Sequence, residues 1–439
     1  MIVPRSRLLW LTAVLVLPSS IIAALAPRTT AFAAAAVGTL VAVAAIDAIL
    51  APARLRGVRV VLPTLVRMSK DRKGVLEIRI ERERAVPKKI RLGFALPPDL
   101  IPDHEEITTD LPTENLIARL DWNCTPKQRG SFMIGTCYVG TASRLGLWDV
   151  RTSVNTNCEV RVYPNLLAEK KTAASLLLRH GREGVHLQRQ VGQGREFEKL
   201  REYVHGDGFD EIHWKATARR GKPITKVFQV ERTQEVYVVI DCSRLSARPI
   251  GGESILERYL ISALLLGIAS EQQSDLFGLI AFDDKIQRFV RAKNGKLHYG
   301  ACRDALYSLK PRLVSPDFGE LANFIRVRLR RRALLIFLTE LDDPVIAESF
   351  ERGIRLIARQ HLILVNMLKP EGAAPLFTEP AASTDELYER LSGHLRWQKL
   401  EETTRRLSRS GMRFHLLNPE RPAFDLTKQY RSVKQRQLL

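Results

Sequence analysis

Two apolar runs close to the N-terminus constrain this chain more than any other feature. Leu8 to Ala26 (LLWLTAVLVLPSSIIAALA) holds no charged residue, and Ala31 to Ala51 (AFAAAAVGTLVAVAAIDAILA) holds only Asp47. Each is close to the ~20 residues a helix needs to cross a hydrocarbon layer of about 30 Å. Pro18 is tolerated better in a spanning helix than in a soluble one. The link Pro27-Arg28-Thr29-Thr30 leaves room only for a tight hairpin. The rival reading is a cleaved signal peptide, with Arg5 and Arg7 as its basic flank and Ala24-Leu25-Ala26 as the cut. Pro27 directly after that cut, and a second apolar run at once, weigh against it. Arg5 and Arg7 precede the first run, and Arg54, Arg56, Arg59 and Arg67 follow the second. The positive-inside rule therefore predicts two passes with both termini cytoplasmic. Asp47 stands one turn from the end of its run, where reaching the headgroup layer explains it better than an ion path does.

The chain has 439 residues, enough for two or three domains, and its 45% hydrophobic and 26% charged content excludes a disordered or fibrous protein. Lys and Arg total 68 against 48 Asp and Glu, a formal charge of +20. An excess of that size calls for nucleic acid, anionic lipid or an acidic protein nearby. Cys124, Cys137, Cys158, Cys242 and Cys302 form no CxxC pair, which speaks against a zinc ribbon and suits a reducing compartment. A Cys124–Cys137 disulfide stays open only if the chain is exported.

The predicted organisation is a transmembrane hairpin over 1–56 (helices about 8–26 and 31–51), a β-rich sandwich-like domain over 57–165, a charged connector over 166–235 and an α/β domain over 236–439. VLEIRIERE and CEVRVYP alternate apolar and polar residues between short Pro- and Gly-containing interruptions, the pattern of a small antiparallel sandwich or barrel. After the connector, VYVVID, DLFGLIAF, ALLIFLT and HLILVNML alternate with amphipathic helical stretches. That predicts a mostly parallel buried sheet with helices on both faces, whose ligand site lies at the carboxyl ends of the strands.

At the first of those ends stand Asp241-Cys242-Ser243-Arg244-Leu245-Ser246. A carboxylate with hydroxyls offers oxygen ligands to a hard cation such as Mg²⁺ or Ca²⁺. The string resembles the D-x-S-x-S of von Willebrand factor A domains, whose metal-ion-dependent adhesion site gathers serines, a threonine and aspartates from three loops. The resemblance implies a divalent-cation site of Asp241, Ser243, Ser246, Ser315, Thr339, Glu340 and Asp342. Leu245 stands where the last serine is usual, and Thr339-Glu340 where an aspartate is usual. The alternative is a loop in which Asp241 only caps a turn.

The connector reads Gly194-Arg195-Glu196-Phe197-Glu198-Lys199-Leu200-Arg201-Glu202-Tyr203-Val204-His205-Gly206-Asp207, then Ile212-His213-Trp214-Lys215-Ala216-Thr217-Ala218-Arg219-Arg220, then Val230-Glu231-Arg232. It resembles the signature of the domain of unknown function 58 family: G-x-E-F-x-x-L-R-x-Y-x-x-G-D, I-x-W-x-x-x-A-R and a closing E-R before a von Willebrand factor A-like domain. Arg129-Gly130, Ser143 to Trp148, Val160 to Pro164 and Tyr430 to Lys434 also fit. His205 and Gly208-Phe209-Asp210-Glu211 depart from the usual pattern. The signature residues Glu196, Phe197, Leu200, Arg201, Tyr203, Gly206, Asp207, Trp214, Ala218, Arg219, Glu231 and Arg232 can act either as an Arg–carboxylate clasp on the sheet domain or as a binding surface.

No phosphate-cradling G-x-x-x-x-G-K-[ST], no H-E-x-x-H and no G-x-S-x-G elbow occurs. The run Arg326-Val327-Arg328-Leu329-Arg330-Arg331-Arg332 is either a solvated helix end or a patch facing anionic headgroups. No recognition helix for nucleic acid can be read. The apolar runs and the missing catalytic motifs predict a membrane-anchored, non-enzymatic protein of the bacterial inner membrane, and the resemblance implies that it acts as an adaptor or assembly factor for other proteins. Its partners would be a MoxR-type AAA+ ATPase and other membrane or von Willebrand factor A-like proteins. A metal-dependent hydrolase at the Asp241 loop is the competing class.

Overall fold

Alanine and leucine, the strongest helix formers, dominate the N-terminal runs, and the computed structural model forms helices there: α1 (Ser6–Leu25) and α2 (Thr30–Leu50). Both start a residue or two earlier than the hydropathy pattern places them. The structure describes residues 1–25, 30–83, 89–112, 117–167, 191–204, 208–229, 234–376 and 383–436. They divide into two units, Met1–Asn165 and Leu166–Leu439. Among the described residues one helix, Thr30–Arg54, is long and apolar enough to cross a membrane; the apolar stretch before it, Ser6–Ile22, is shorter. Trp10, Leu17, Ile21, Phe32, Val41 and Ile49 are all exposed on these helices, an unburied apolar surface larger than soluble domains usually carry.

Asp47 does not reach outward. It is buried, and its Oδ1 accepts the backbone N–H of Leu145 at 3.3 Å. The indole Nε1 of Trp148 donates to the carbonyl of Ala44 at 2.9 Å. Ser143 closes the turn between them by accepting the Trp148 N–H at 3.0 Å, with Gly146 at φ 74° where a side chain would be strained. The Ser143-to-Trp148 string is thus a socket for the base of α2. Leu8, Ala44 and Leu147 pack together there.

The rest of the first unit is a two-sheet β domain. One sheet runs β1 (Ile2–Pro4), β10 (Trp148–Tyr163), β9 (Gly130–Ala142), β5 (Lys89–Phe94), β7 (Glu106–Asp110), with β3 (Leu65–Ser69) parallel to the end of β10; the other runs β2 (Val58–Val61), β4 (Gly74–Arg82), β8 (Ile117–Pro126), β6 (Leu100–Pro102). Alternation along β4 buries Leu76, Ile78 and Ile80 and leaves Glu77 and Arg79 out. These meet Trp122, Ile134, Val139, Val160 and Val162 in one core, the arrangement of a β-sandwich. All five cysteines are buried and free.

The second unit opens with β11 (Val191–Glu202) and β12 (Ile224–Gln229), an antiparallel pair enclosing the short helix α3 (Trp214–Arg220). The connector is therefore itself folded. Then come β13 (Glu235–Asp241), the two-residue strands β14 (Pro249–Ile250) and β15 (Glu253–Ser254), α4 (Ile255–Gln272), β16 (Leu276–Phe282), β17 (Ile286–Lys293), α5 (Lys296–Leu306), α6 (Phe318–Arg328), β18 (Leu334–Leu338), α7 (Pro344–Ile354), β19 (Leu362–Leu368), α8 (Thr384–Arg409), β20 (Arg413–Leu417) and α9 (Pro422–Gln435). The main sheet is ordered β17-β16-β13-β18-β19-β20, every pairing parallel except that of β17 with β16. In order of appearance that is 3-2-1-4-5-6, a doubly wound sheet.

β13 is buried along almost its whole length because both faces are covered. Val236, Val238 and Ile240 face α4, α5 and α9, and Tyr237 and Val239 face α6, α7 and α8. Each fully buried leucine or isoleucine of these layers contributes roughly 1.5–3 kcal/mol. Gly278 is required by close approach, since a Cβ there would lie 2.5 Å from the Tyr237 ring and 2.8 Å from the Val290 carbonyl oxygen.

Candidate functional site

In a sheet of this order the winding reverses between the parallel strands 1 and 4, and the crevice beyond their carboxyl ends is the place for a ligand. Here those strands are β13, which ends in Asp241, and β18, which Thr339 follows directly. The structure brings the two together: the Thr339 hydroxyl donates to Asp241 Oδ2 at 2.7 Å, and the Ser243 N–H donates to Oδ1 at 2.8 Å. Asp241, Ser243, Ser246 and Thr339 are fully buried.

Each oxygen that the adhesion-site resemblance implies as a metal ligand already has a protein partner. Ser243 Oγ accepts the Leu245 N–H at 3.3 Å, and Ser246 Oγ donates to the Ser243 carbonyl at 3.0 Å. Ser315 Oγ accepts from Arg244 Nε at 3.3 Å. Glu340 and Asp342 are joined by one guanidinium: Arg248 donates to Asp342 at 2.7 and 3.2 Å and to Glu340 Oε2 at 3.2 Å. Tyr259 donates to Glu340 Oε1, which also takes the Leu368 N–H at 3.3 Å.

A second guanidinium does the same on the neighbouring strand. Arg312 Nη1 bonds Asp283 Oδ2 and Asp284 Oδ1, each at 3.0 Å, where β16 ends. The 312–317 loop is pinned beside it by Arg312 N–H to the Cys242 carbonyl at 2.8 Å, Arg244 N–H to the Val314 carbonyl at 3.0 Å and Asp317 N–H to the Asp283 carbonyl at 2.9 Å.

A hard divalent cation wants about six or more oxygens converging on one point. Among the described residues no group of three His, Cys, Asp or Glu side chains is placed to hold a metal. Glu340 and Asp342 instead bond Arg248, Asp283 and Asp284 bond Arg312, and Asp241 is held by Thr339 and Ser243. As arranged, the residues do not fit the implied metal. The expected result is no heat when Mg²⁺, Mn²⁺ or Ca²⁺ is titrated calorimetrically into the protein; saturable heat that Asp241→Ala removes would overturn this reading.

Burial sets the electrostatics of the cluster. It pushes the Asp241 carboxyl above its ordinary range, opposed by hydrogen bonds from Thr339 and Ser243 and reinforced by the Asp283 charge. It raises Glu340 to about 7, against the pull of the Tyr259 hydroxyl, the Arg248 charge and the Leu368 N–H. Strand-end position flags Asp241, Thr339 and Glu340 in the sequence. The same rule applied to LFGLIAF-Asp283-Asp284 would have flagged Asp283. Arg248, Tyr259 and Arg312 lie on loops and a helix with no local signal.

The signature residues occupy a different place. Leu200, Arg201 and Tyr203 lie at the end of β11 and just beyond, and Trp214, Ala218 and Arg219 lie on α3. Glu196 and Phe197 fall on β11, paired in register with Gln229 and Phe228. Gly206, Asp207, Glu231 and Arg232 lie outside the described residues. His213 caps α3 by accepting the Ala216 N–H at Nδ1, 3.1 Å, and Gly221 at φ 68° ends it. Thr217 Oγ1 accepts the Ile224 N–H at 3.0 Å, tying α3 to β12. Ile212 and Ile224 are buried beneath, whereas Trp214 and Phe209 are 69% and 75% exposed and Leu200 is also exposed. Lys215, Arg219, Arg220 and Lys222 are exposed in the same short segment.

Uncharacterized proteins of Mycobacterium bovis and Mycobacterium tuberculosis are 26% identical to this chain over 193 residues, 43% of this chain and 59% of each relative. The chain thus spans 59% of the length of the curated relatives it matches. Among solved structures, the VWA domain of SpRpn10 covers 45% of this chain and 95% of its own length at 11% identity and TM-score 0.29. An uncharacterized membrane spanning protein from Vibrio fischeri covers 46% and 98% at 14% identity and TM-score 0.16. The fold therefore rests on the strand order given above. Residues 199–376, from within β11 through β19 to Leu376, match the family model described as "Protein of unknown function DUF58".

Proposed function

We propose that this chain is a membrane-tethered protein-interaction protein that works beside a MoxR-type AAA+ ATPase in the assembly or maturation of other proteins. The observation that carries the reading is the exposure of Trp214 and Phe209 on the signature hairpin, in a segment that also exposes Lys215, Arg219, Arg220 and Lys222. Aromatic and arginine side chains are what protein interfaces concentrate. An exposed Trp costs a lone domain solubility without stabilising it. The ATPase is what the family resemblance implies.

The anchor is a two-pass hairpin. Strand β1 precedes α1 and β2 follows α2, and both pair within the same β unit, which supports an exit and return on one face. The flanking arginines argue that this face is cytoplasmic, at a bacterial inner membrane. A hydrolase at Asp241 finds no support in a carboxylate whose two oxygens are taken by the Thr339 hydroxyl and the Ser243 N–H, beside Glu340 and Asp342 that pair with Arg248.

Affinity capture of the full-length protein from solubilised membranes, with mass-spectrometric identification of ATPases, tests the proposal. The AAA+ ATPase is expected with the wild type and roughly 30-fold less of it with Trp214→Ala, since a central aromatic anchor is worth about 2 kcal/mol or more. Stability should stay within about 0.5 kcal/mol, as for other exposed sites. Recovery of no such ATPase sinks the partner; equal recovery by both proteins sinks the surface.

A further inference from the structure

At the opposite end of the sheet from Asp241, the structure forms a groove of about 430 Å³ lined by Glu235, Tyr237, Phe289, Arg291, Val327 and the 328–331 segment, which contributes Arg328, Arg330 and Arg331. Four arginines thus line it against one carboxylate. All four are exposed, and among the described residues none has an acidic side chain within salt-bridge distance. The C-terminal dipole of α6 accounts for a cation at Arg328. It does not account for Arg330 and Arg331 beyond the helix, nor for Arg291 on β17.

The groove is built before any ligand arrives. Its wall is a chain of rings: Tyr237 stacks on Phe289 at 6.3 Å, Phe289 meets Phe324 edge-on at 5.2 Å, and the Arg328 guanidinium lies 5.9 Å over Phe324. The Tyr237 hydroxyl is held by the Ala292 N–H at 3.1 Å. The backbone that presents the arginines is fixed by Gln360, whose Nε2 donates to the carbonyls of Leu329 and Arg330 at 3.4 and 3.2 Å. Like charges gathered on a fixed backbone repel one another, and an anion relieves that repulsion. Planar guanidinium forks match the paired oxygens of a phosphate.

We infer that this groove is a binding site for a phosphate-bearing anion, the chemistry that a phospholipid headgroup and a soluble phosphate ester share. Val327, 68% exposed at the rim, is an apolar contact for the ester's organic part.

The test uses the full chain in dodecyl maltoside micelles. Calorimetric titrations with inorganic pyrophosphate, dihexanoyl phosphatidylglycerol and dihexanoyl phosphatidylcholine are compared for the wild type, Arg330→Glu/Arg331→Glu, the milder Arg330→Gln/Arg331→Gln, and the charge-matched control Arg405→Glu/Arg409→Glu on α8. Saturable binding of pyrophosphate or phosphatidylglycerol is expected, weakened about tenfold or more by each groove variant because charge-assisted hydrogen bonds are lost, and kept by the control. Binding confined to phosphatidylglycerol identifies a lipid headgroup, and binding of pyrophosphate alone a soluble ester. No saturable binding in any arm, or equal weakening by control and groove variants, overturns the inference. The glutamine pair decides the matter if the glutamate pair fails to fold.

Discussion

Replacing Asp275 by alanine is expected to lower the melting temperature of the α/β unit by about 6–20 °C, from a loss of roughly 3–5 kcal/mol. Asp275 is fully buried just before β16. Its carboxylate gathers three donors from distant sequence: the Tyr430 hydroxyl, Lys434 Nζ at 2.8 Å and the Gln234 N–H at 3.1 Å. Alanine would leave a buried hydroxyl without its acceptor and a three-quarters-buried ammonium without its counter-ion, which is the costly way to break such a set. The whole folded state is stabilised by only about 5–15 kcal/mol, so the expected loss is a large part of it.

The last helix should come loose first, because α9 adds only Leu426, Tyr430 and Val433 to the core cluster it joins. Burial and the Asp275 carboxylate hold the Tyr430 hydroxyl above its ordinary pKa, so it remains a donor at any working pH. Tyr430→Phe removes one donor and should cost about 1–3 kcal/mol. Urea unfolding of the full chain measures both, and an Asp275→Ala midpoint indistinguishable from the wild type would refute the lock.

The second large effect is a dependence on pH. Glu340 is 3% exposed, and burial raises its carboxyl from 4.5 to about 7. In the folded state it therefore keeps a proton that the unfolded chain has lost between those two values. The stability that Glu340 contributes is fully present below pH 4.5 and is lost as pH climbs toward 7, about 3 kcal/mol from this group. Asp241 is shifted in the same direction and adds to the slope. Glu340→Gln keeps the acceptor for Tyr259 but removes the titration, so its urea midpoint should change much less between pH 5 and pH 7.5. An unchanged slope in that variant would show that Glu340 is not the group responsible.

Much of the architecture is legible because it is written in local periodicity. The alternation of VLEIRIERE gives β4, and the unbroken apolar runs VYVVID, ALLIFLT and HLILVNML give three adjacent strands of the doubly wound sheet. Asp241 and Thr339 follow from position alone, since each ends such a run. What escapes the sequence is whatever depends on distant pairing. Arg248 lies 92 residues before Glu340, and Asp275 lies 155 before Tyr430; nothing near either residue advertises the other. The connector escapes for another reason. Its charged side chains alternate with Phe197, Leu200 and Tyr203 at spacings that fit no single period, so a folded hairpin reads as loop. Asp47 misleads because an acidic residue in an apolar run suggests water, whereas its partner is the backbone of a turn almost a hundred residues on.

The pairing of β1 with β10 also sets an order of events. Ile2, Val3 and Pro4 lie opposite Val150, Asp149 and Trp148, so a ribosome adding about 5–20 residues per second needs on the order of ten seconds or more to supply the partner strand. Both apolar helices emerge long before that. β1 therefore waits on a partner made long after it, and the joining of β3 to Glu159–Tyr163 at the far end of β10 comes later still.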